Sequence, residues 1–129
     1  MAAWIFGASG LVLALSGCTP SQQDDAARAA DDFVAAVTDE QAEAACALLA
    51  PATVEELEQS SGGACAETVL DEAVAAGHRV GVSTFGTMSQ VRYTGDVLFL
   101  ARFDDGWRVV AAGCTERRDA PYSCEIEGR

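Results

Sequence analysis

The spacing of apolar residues changes from about 3.6 to two between Gly77 and Arg79, and this change bounds the fold. Before it, Ala26, Ala30, Phe33 and Val37 mark one face of a helix over Asp24–Val37. Thr38-x-x-Gln41 reads as a capping box opening a second helix, with Ala42, Ala45, Cys46 and Leu49 on one stripe and Pro51 as its stop. Thr53-x-x-Glu56 opens a short third helix over Thr53–Gln59, and Ser60–Gly63 is a loop. A fourth helix runs over Cys65–Ala75 with Ala66, Val69, Leu70 and Ala73 inward. Beyond Arg79, Val80, Val82 and Thr84 alternate, and Ser89–Tyr93 forms a second strand. Val97–Phe103 is nearly all apolar, which places it mid-sheet with both faces covered. Asp104-Asp105-Gly106 turns the chain into a fourth strand, Trp107–Ala112. Helices followed by a meander give an α+β domain: three to four N-terminal helices on a four-stranded antiparallel sheet.

The N-terminal segment sets the expected location. Met1–Leu15 is uncharged and apolar, of secretory-signal length and short of the roughly 20 residues a membrane span needs. It ends in Leu15-Ser16-Gly17-Cys18 and passes into the polar Thr19-Pro20-Ser21-Gln22-Gln23. This arrangement resembles a bacterial lipoprotein signal with its lipobox. The resemblance implies cleavage before Cys18, lipid on that cysteine, a tether over 18–23 and a single domain over 24–129 on the outer face of the cell membrane. A signal of this kind opens on Lys or Arg, whereas the first basic residue here is Arg28. A buried N-terminal helix or an uncleaved anchor is the competing reading. Stable anchoring takes more than one acyl chain, a need that two or three chains on Cys18 would meet.

With Cys18 set aside, Cys46, Cys65, Cys114 and Cys124 form an even set, as in small exported domains. Four cysteines allow three connectivities, and sequence does not choose among them; proximity favours Cys46–Cys65 and Cys114–Cys124. A zinc site or a redox pair wants C-x-x-C or neighbouring histidines, and the chain has neither. No cofactor is implied.

Charge is unevenly placed. Residues 18–78 hold 13 acidic residues against Arg28 alone, and residues 79–129 hold seven of each sign. An imbalance of this sign argues against a nucleic-acid partner, which requires a basic footprint. It reads first as serving solubility; the alternative is that repulsion from anionic lipid orients the domain outward and leaves the more balanced half free for a contact.

Chemistry-bearing candidates are few. His78, the only histidine, follows Gly77 at a turn with no nucleophile implied, so it reads as an exposed loop residue. The acidic pairs lack the alternating spacing of a calcium loop, and several fall in first helical turns. Between Cys114 and Cys124 a nine-residue interval carries Arg117, Arg118, Pro121 and Tyr122. It reads either as a rigid interaction loop, since Arg and Tyr are frequent interface anchors, or as a stapled extension over the sheet edge.

The order of elements over residues 24–113 resembles a reduced member of the NTF2-like (SnoaL-like, cystatin-like) superfamily, whose curved sheet wraps preceding helices. Cys46–Pro51, Phe99–Val109 and Gly113-Cys114 are similar to stretches of small actinobacterial lipoproteins of unassigned function. That likeness implies fold and location but no catalytic residues. Some NTF2-like enzymes use an aspartate or tyrosine inside the cone; the candidates here are Tyr93, Asp96 and Asp71, with Tyr93 the first choice for a pocket. The resulting expectation is a lipid-anchored interaction or ligand-binding module with an envelope-protein partner. A small-molecule enzyme or carrier using the cone pocket, and a surface spacer, are the alternatives.

Overall fold

The computed structural model describes residues 21–73 and 75–128. The expected signal peptide, Cys18 and the first part of the tether lie outside them. Four helices come first: α1 (Gln22–Thr38), α2 (Ala42–Ala47), α3 (Pro51–Ser61) and α4 (Cys65–Glu72). Five strands complete the chain: β1 (Arg79–Phe85), β2 (Met88–Tyr93), β3 (Val97–Phe103), β4 (Gly106–Arg117) and β5 (Ala120–Glu127). They form one antiparallel sheet in the order β1-β2-β3-β4-β5. The α+β class and the helices-then-meander order are as the periodicity predicts; the strand count is five, not four.

The fifth strand is built from the second half of the Cys114–Cys124 interval and from residues 124–127. After the chain reversal at Arg117–Ala120, the less exposed Ala120, Tyr122, Cys124 and Ile126 alternate with exposed Pro121, Ser123, Glu125 and Glu127. Thr115–Asp119 are all polar or charged and Pro121 lies just beyond the turn, which hides that alternation in the sequence. Pro121 is tolerated because β5 lies at the sheet edge, where a missing N–H breaks no ladder. The stapled extension thus covers the edge of β4 by pairing with it, and β5 becomes the new edge.

α1 begins at Gln22, with the Ser21 hydroxyl accepting the Asp24 N–H at 3.1 Å, so Ser21–Gln23 belong to the folded helix rather than to a tether. Neither capping box forms. Thr38 is the last residue of α1, and its hydroxyl donates to the Val34 carbonyl at 2.8 Å. The Asp39 and Gln41 N–H groups satisfy the Ala35 and Ala36 carbonyls, leaving α2 to start without a side-chain cap. Pro51 starts α3 rather than merely ending α2, as its fixed φ and absent N–H allow at a first turn. Thr53 is thereby turned inward, where its hydroxyl donates to the Val110 carbonyl at 3.0 Å. α4 stops at Glu72 because Ala73 is extended, and Gly95 N–H then bonds the Ala76 carbonyl.

One face of the sheet packs on the helices. Ser89, Val91 and Tyr93 of β2, Leu98 and Leu100 of β3, and Trp107 and Val109 of β4 are buried there with Ala30, Phe33, Leu49, Leu57, Val69 and Ile126. Each large side chain so placed stabilises the fold by about 1.5–3 kcal/mol. The chain also uses Leu49 to cover the free edge of early β4: Ala50 N–H donates to Val109 O at 2.8 Å, and Val109 N–H to Leu48 O at 2.9 Å. β3 is the central strand, but Val97, Phe99 and Ala101 are only half-buried. The expectation that both its faces are covered fails, since the helices lie on one side.

Candidate interaction surface

The uncovered face is read directly from the strand register. Gly81, Arg92 and Val97 form one cross-strand row; Ser83, Gln90, Phe99 and Ala111 form the next; Phe85, Met88, Ala101 and Arg108 form a third. Phe103 ends β3 beyond the third row. Phe85 is 77% exposed, Met88 46% and Phe103 41%. Tyr122 leans over this face from β5. Its ring meets Phe99 edge-on at 5.1 Å between centroids, and its hydroxyl accepts a hydrogen bond from the Gln90 amide at 3.3 Å. Between them lies an open apolar groove of about 340 Å3, walled by Met88, Phe99, Pro121 and Tyr122, with Glu127 at its far side. That volume is at the small end of ligand sites.

Two arginines on this face differ in their engagement. Arg108 bonds the Ala47 carbonyl and the Asp105 carboxylate, the latter at 2.7 Å. Arg92 has no carboxylate partner among the described residues; its Nη1 donates to the Ser83 hydroxyl at 3.0 Å. The guanidinium lies against Gly81, where a Cβ would stand 3.0 Å from Arg92 Cζ.

Of the expected interaction loop, only Tyr122 is built into this surface. Arg117 and Arg118 are exposed at the β4–β5 hairpin tip and join no ion pair among the described residues. Tyr93 is buried in the core, and its hydroxyl donates to Asp31 Oδ1 at 2.6 Å; Arg79 Nε bonds the same carboxylate at 3.2 Å. Burial, then the Asp31 hydrogen bond and charge, pushes the phenol well above its ordinary value. This trio fastens α1 to the start of β1 and the end of β2. It also walls an open depression of about 510 Å3 that includes His78.

Asp96 is buried and structural. Its carboxylate accepts N–H groups from Val97 at 2.6 Å, Gly113 at 3.1 Å and Cys114 at 2.9 Å. Burial raises its pKa from the ordinary value, while the three backbone donors pull the other way. Asp71, the third cone candidate, is exposed. The side chains of Tyr93 and Asp96 are thus occupied by the fold itself.

The bridges join Cys46 to Cys65, tying α2 to α4, and Cys114 to Cys124, which face each other across β4 and β5. Two disulfides suit an oxidising, extracytoplasmic setting. Among the described residues no helix is long and apolar enough to cross a membrane, and no group of three or more His, Cys, Asp or Glu is placed to hold a metal ion.

Sequence reasoning missed Phe85, Met88, Gln90, Arg92 and Phe99 as parts of one surface. The signal was present in the odd positions of β3, which are as apolar as the even ones although only one face meets helices. Compared with protein-family models, curated proteins and solved structures, the chain matches none.

Proposed function

We propose that the chain is a lipoprotein, cut before Cys18 and held by lipid on the outer face of the cell membrane, whose domain is an interaction or ligand-binding module. The uncovered sheet face carries the reading. Large side chains there, Phe85, Met88 and Phe103 above all, are exposed, and Met88 also walls a groove that Phe99 and Tyr122 line. Isolated exposed apolar residues are ordinary, but a contiguous set on one flat face marks a contact surface. The two disulfides and the absence of a crossing helix among the described residues support a lipid-held, extracytoplasmic domain. Element order supports the likeness to NTF2-like lipoproteins. An acidic helical layer opposite the open face leaves the sheet as the side available to an envelope partner and disfavours nucleic acid.

An enzyme or carrier built on an internal cone has less support, because Tyr93 and Asp96 are tied to Asp31 and to backbone. The test is a photo-crosslinking residue placed at Met88 or Phe103 of the full chain in its native cells, compared with one at exposed Glu55 on α3. The module reading expects discrete adducts from the sheet positions and none from Glu55. Adducts from no position would favour a surface spacer.

A further inference from the structure

We infer that the open sheet face binds a small amphiphile with a single carboxylate head and an unbranched apolar tail, the head on Arg92 and the tail in the Phe99–Tyr122–Met88 groove. The inference rests on the reading of this face as the working surface and names what it takes.

Three observations converge on that chemistry. First, Arg92 is a prepared cation. Gly81 leaves room for its guanidinium to lie on the sheet, Ser83 fixes one nitrogen, and the remaining donors have no carboxylate partner among the described residues. A guanidinium edge with two parallel N–H groups matches a carboxylate. One positive charge balances one carboxylate, whereas a phosphate monoester carries nearly two charges, and the other arginine in the three cross-strand rows, Arg108, is bonded to Asp105.

Second, the apolar groove begins one side chain away on the same face. Arg92, Gln90 and Met88 are alternate residues of β2, about 7 Å apart in sequence order, so head site and groove fit a ligand roughly 13 Å long. Gln90, between them, donates to the Tyr122 hydroxyl, and Phe99 and Met88 line the groove that would take the tail.

Third, charge sets the direction. Glu127, opposite Ala111 on the far side of the groove, stands about three strand spacings from Gln90, roughly 14 Å, and repels an anionic head from that end. A cationic head would be repelled by Arg92 and drawn to the Glu127 end, so the sign of the head decides whether Arg92 is engaged.

The test uses the oxidised full chain carrying a 13C-methyl label on methionine and 15N on arginine, titrated with octanoate, octylammonium and octyl phosphate. Octanoate is expected to shift the Met88 methyl and Arg92 Nε–H signals saturably, with Kd on the order of 1 mM for so small a ligand. Octylammonium should leave the Arg92 Nε–H signal unmoved, and octyl phosphate should bind no more tightly than octanoate. Arg92→Met should weaken octanoate about tenfold, and Gly81→Ala, which displaces the guanidinium without touching the groove, should weaken it in the same direction. An equal Arg92 Nε–H shift from all three heads, tighter octyl phosphate, an unchanged Arg92→Met, or no saturable shift would each overturn the inference. If octanoate fails while Met88 adducts persist in cells, only this ligand class falls. If the adducts fail as well, the reading of the face falls with it.

Discussion

Asp96→Ala tests most sharply how the sheet is held where β4 bends past Gly113, whose φ of +65° places it in the left-handed region. The carboxylate serves three backbone N–H groups, two of them in wholly buried hydrogen bonds to Gly113 and Cys114. Removing it leaves two buried donors without acceptors, each costing about 1–3 kcal/mol. Part of that loss is offset because burial already disfavours the charged carboxyl, as its raised pKa shows. The net expectation is about 3–4 kcal/mol. For a domain of this size, at the lower end of about 4–8 °C per kcal/mol, that is a Tm lowered by roughly 12–16 °C. Asp96→Asn keeps the oxygen that serves Val97 and Cys114 but turns an NH2 group toward Gly113, so its cost should be smaller, about 1–3 kcal/mol. Urea denaturation of both variants with intact disulfides gives the numbers. A loss below about 1 kcal/mol for Asp96→Ala, or a larger loss for Asn than for Ala, would refute the claim that this carboxylate organises the β3–β4 junction.

The same structure sets other expectations. Replacing Cys46 and Cys65 together by Ala should lower stability by about 2–4 kcal/mol in chemical denaturation, because α2 and α4 lose their covalent link. Thr53→Val should cost about 1 kcal/mol by thermal melting, through the lost bond to Val110 O at a buried site. Tyr93 has a raised pKa, so its contribution is fully present below the ordinary phenol value near 10 and is lost as pH rises through the folded value. Stability should therefore fall on the alkaline side, and Tyr93→Phe should remove that part of the slope in a pH series of urea melts.

Local periodicity made most of the fold legible, and the misses have particular causes. Ala26, Ala30 and Phe33 announced α1 because their spacing is set by the helix itself. Thr38 and Thr53 misled because a threonine hydroxyl has several satisfactory partners, and tertiary contact decided between them. Thr38 bonds back to Val34, and Thr53 reaches a strand 57 residues away. β5 was hidden because its pairing with β4 is fixed by Ala112 facing Ile126 and Cys114 facing Cys124, a register that composition does not display. The candidate surface was legible only at Tyr122. Arg92 gains its meaning from Gly81 across the strand pair, and Phe99 from a ring 23 positions later in the chain.

The account depends most on Cys18 being a lipidated N-terminus outside the cytoplasm. Intact mass of the protein taken from its native membrane, before and after reduction, tests this directly. The account predicts loss of residues 1–17, an added mass of two or three acyl chains, and a gain of four hydrogens on reduction from the two bridges. A full-length, unmodified chain whose mass does not change on reduction would contradict it.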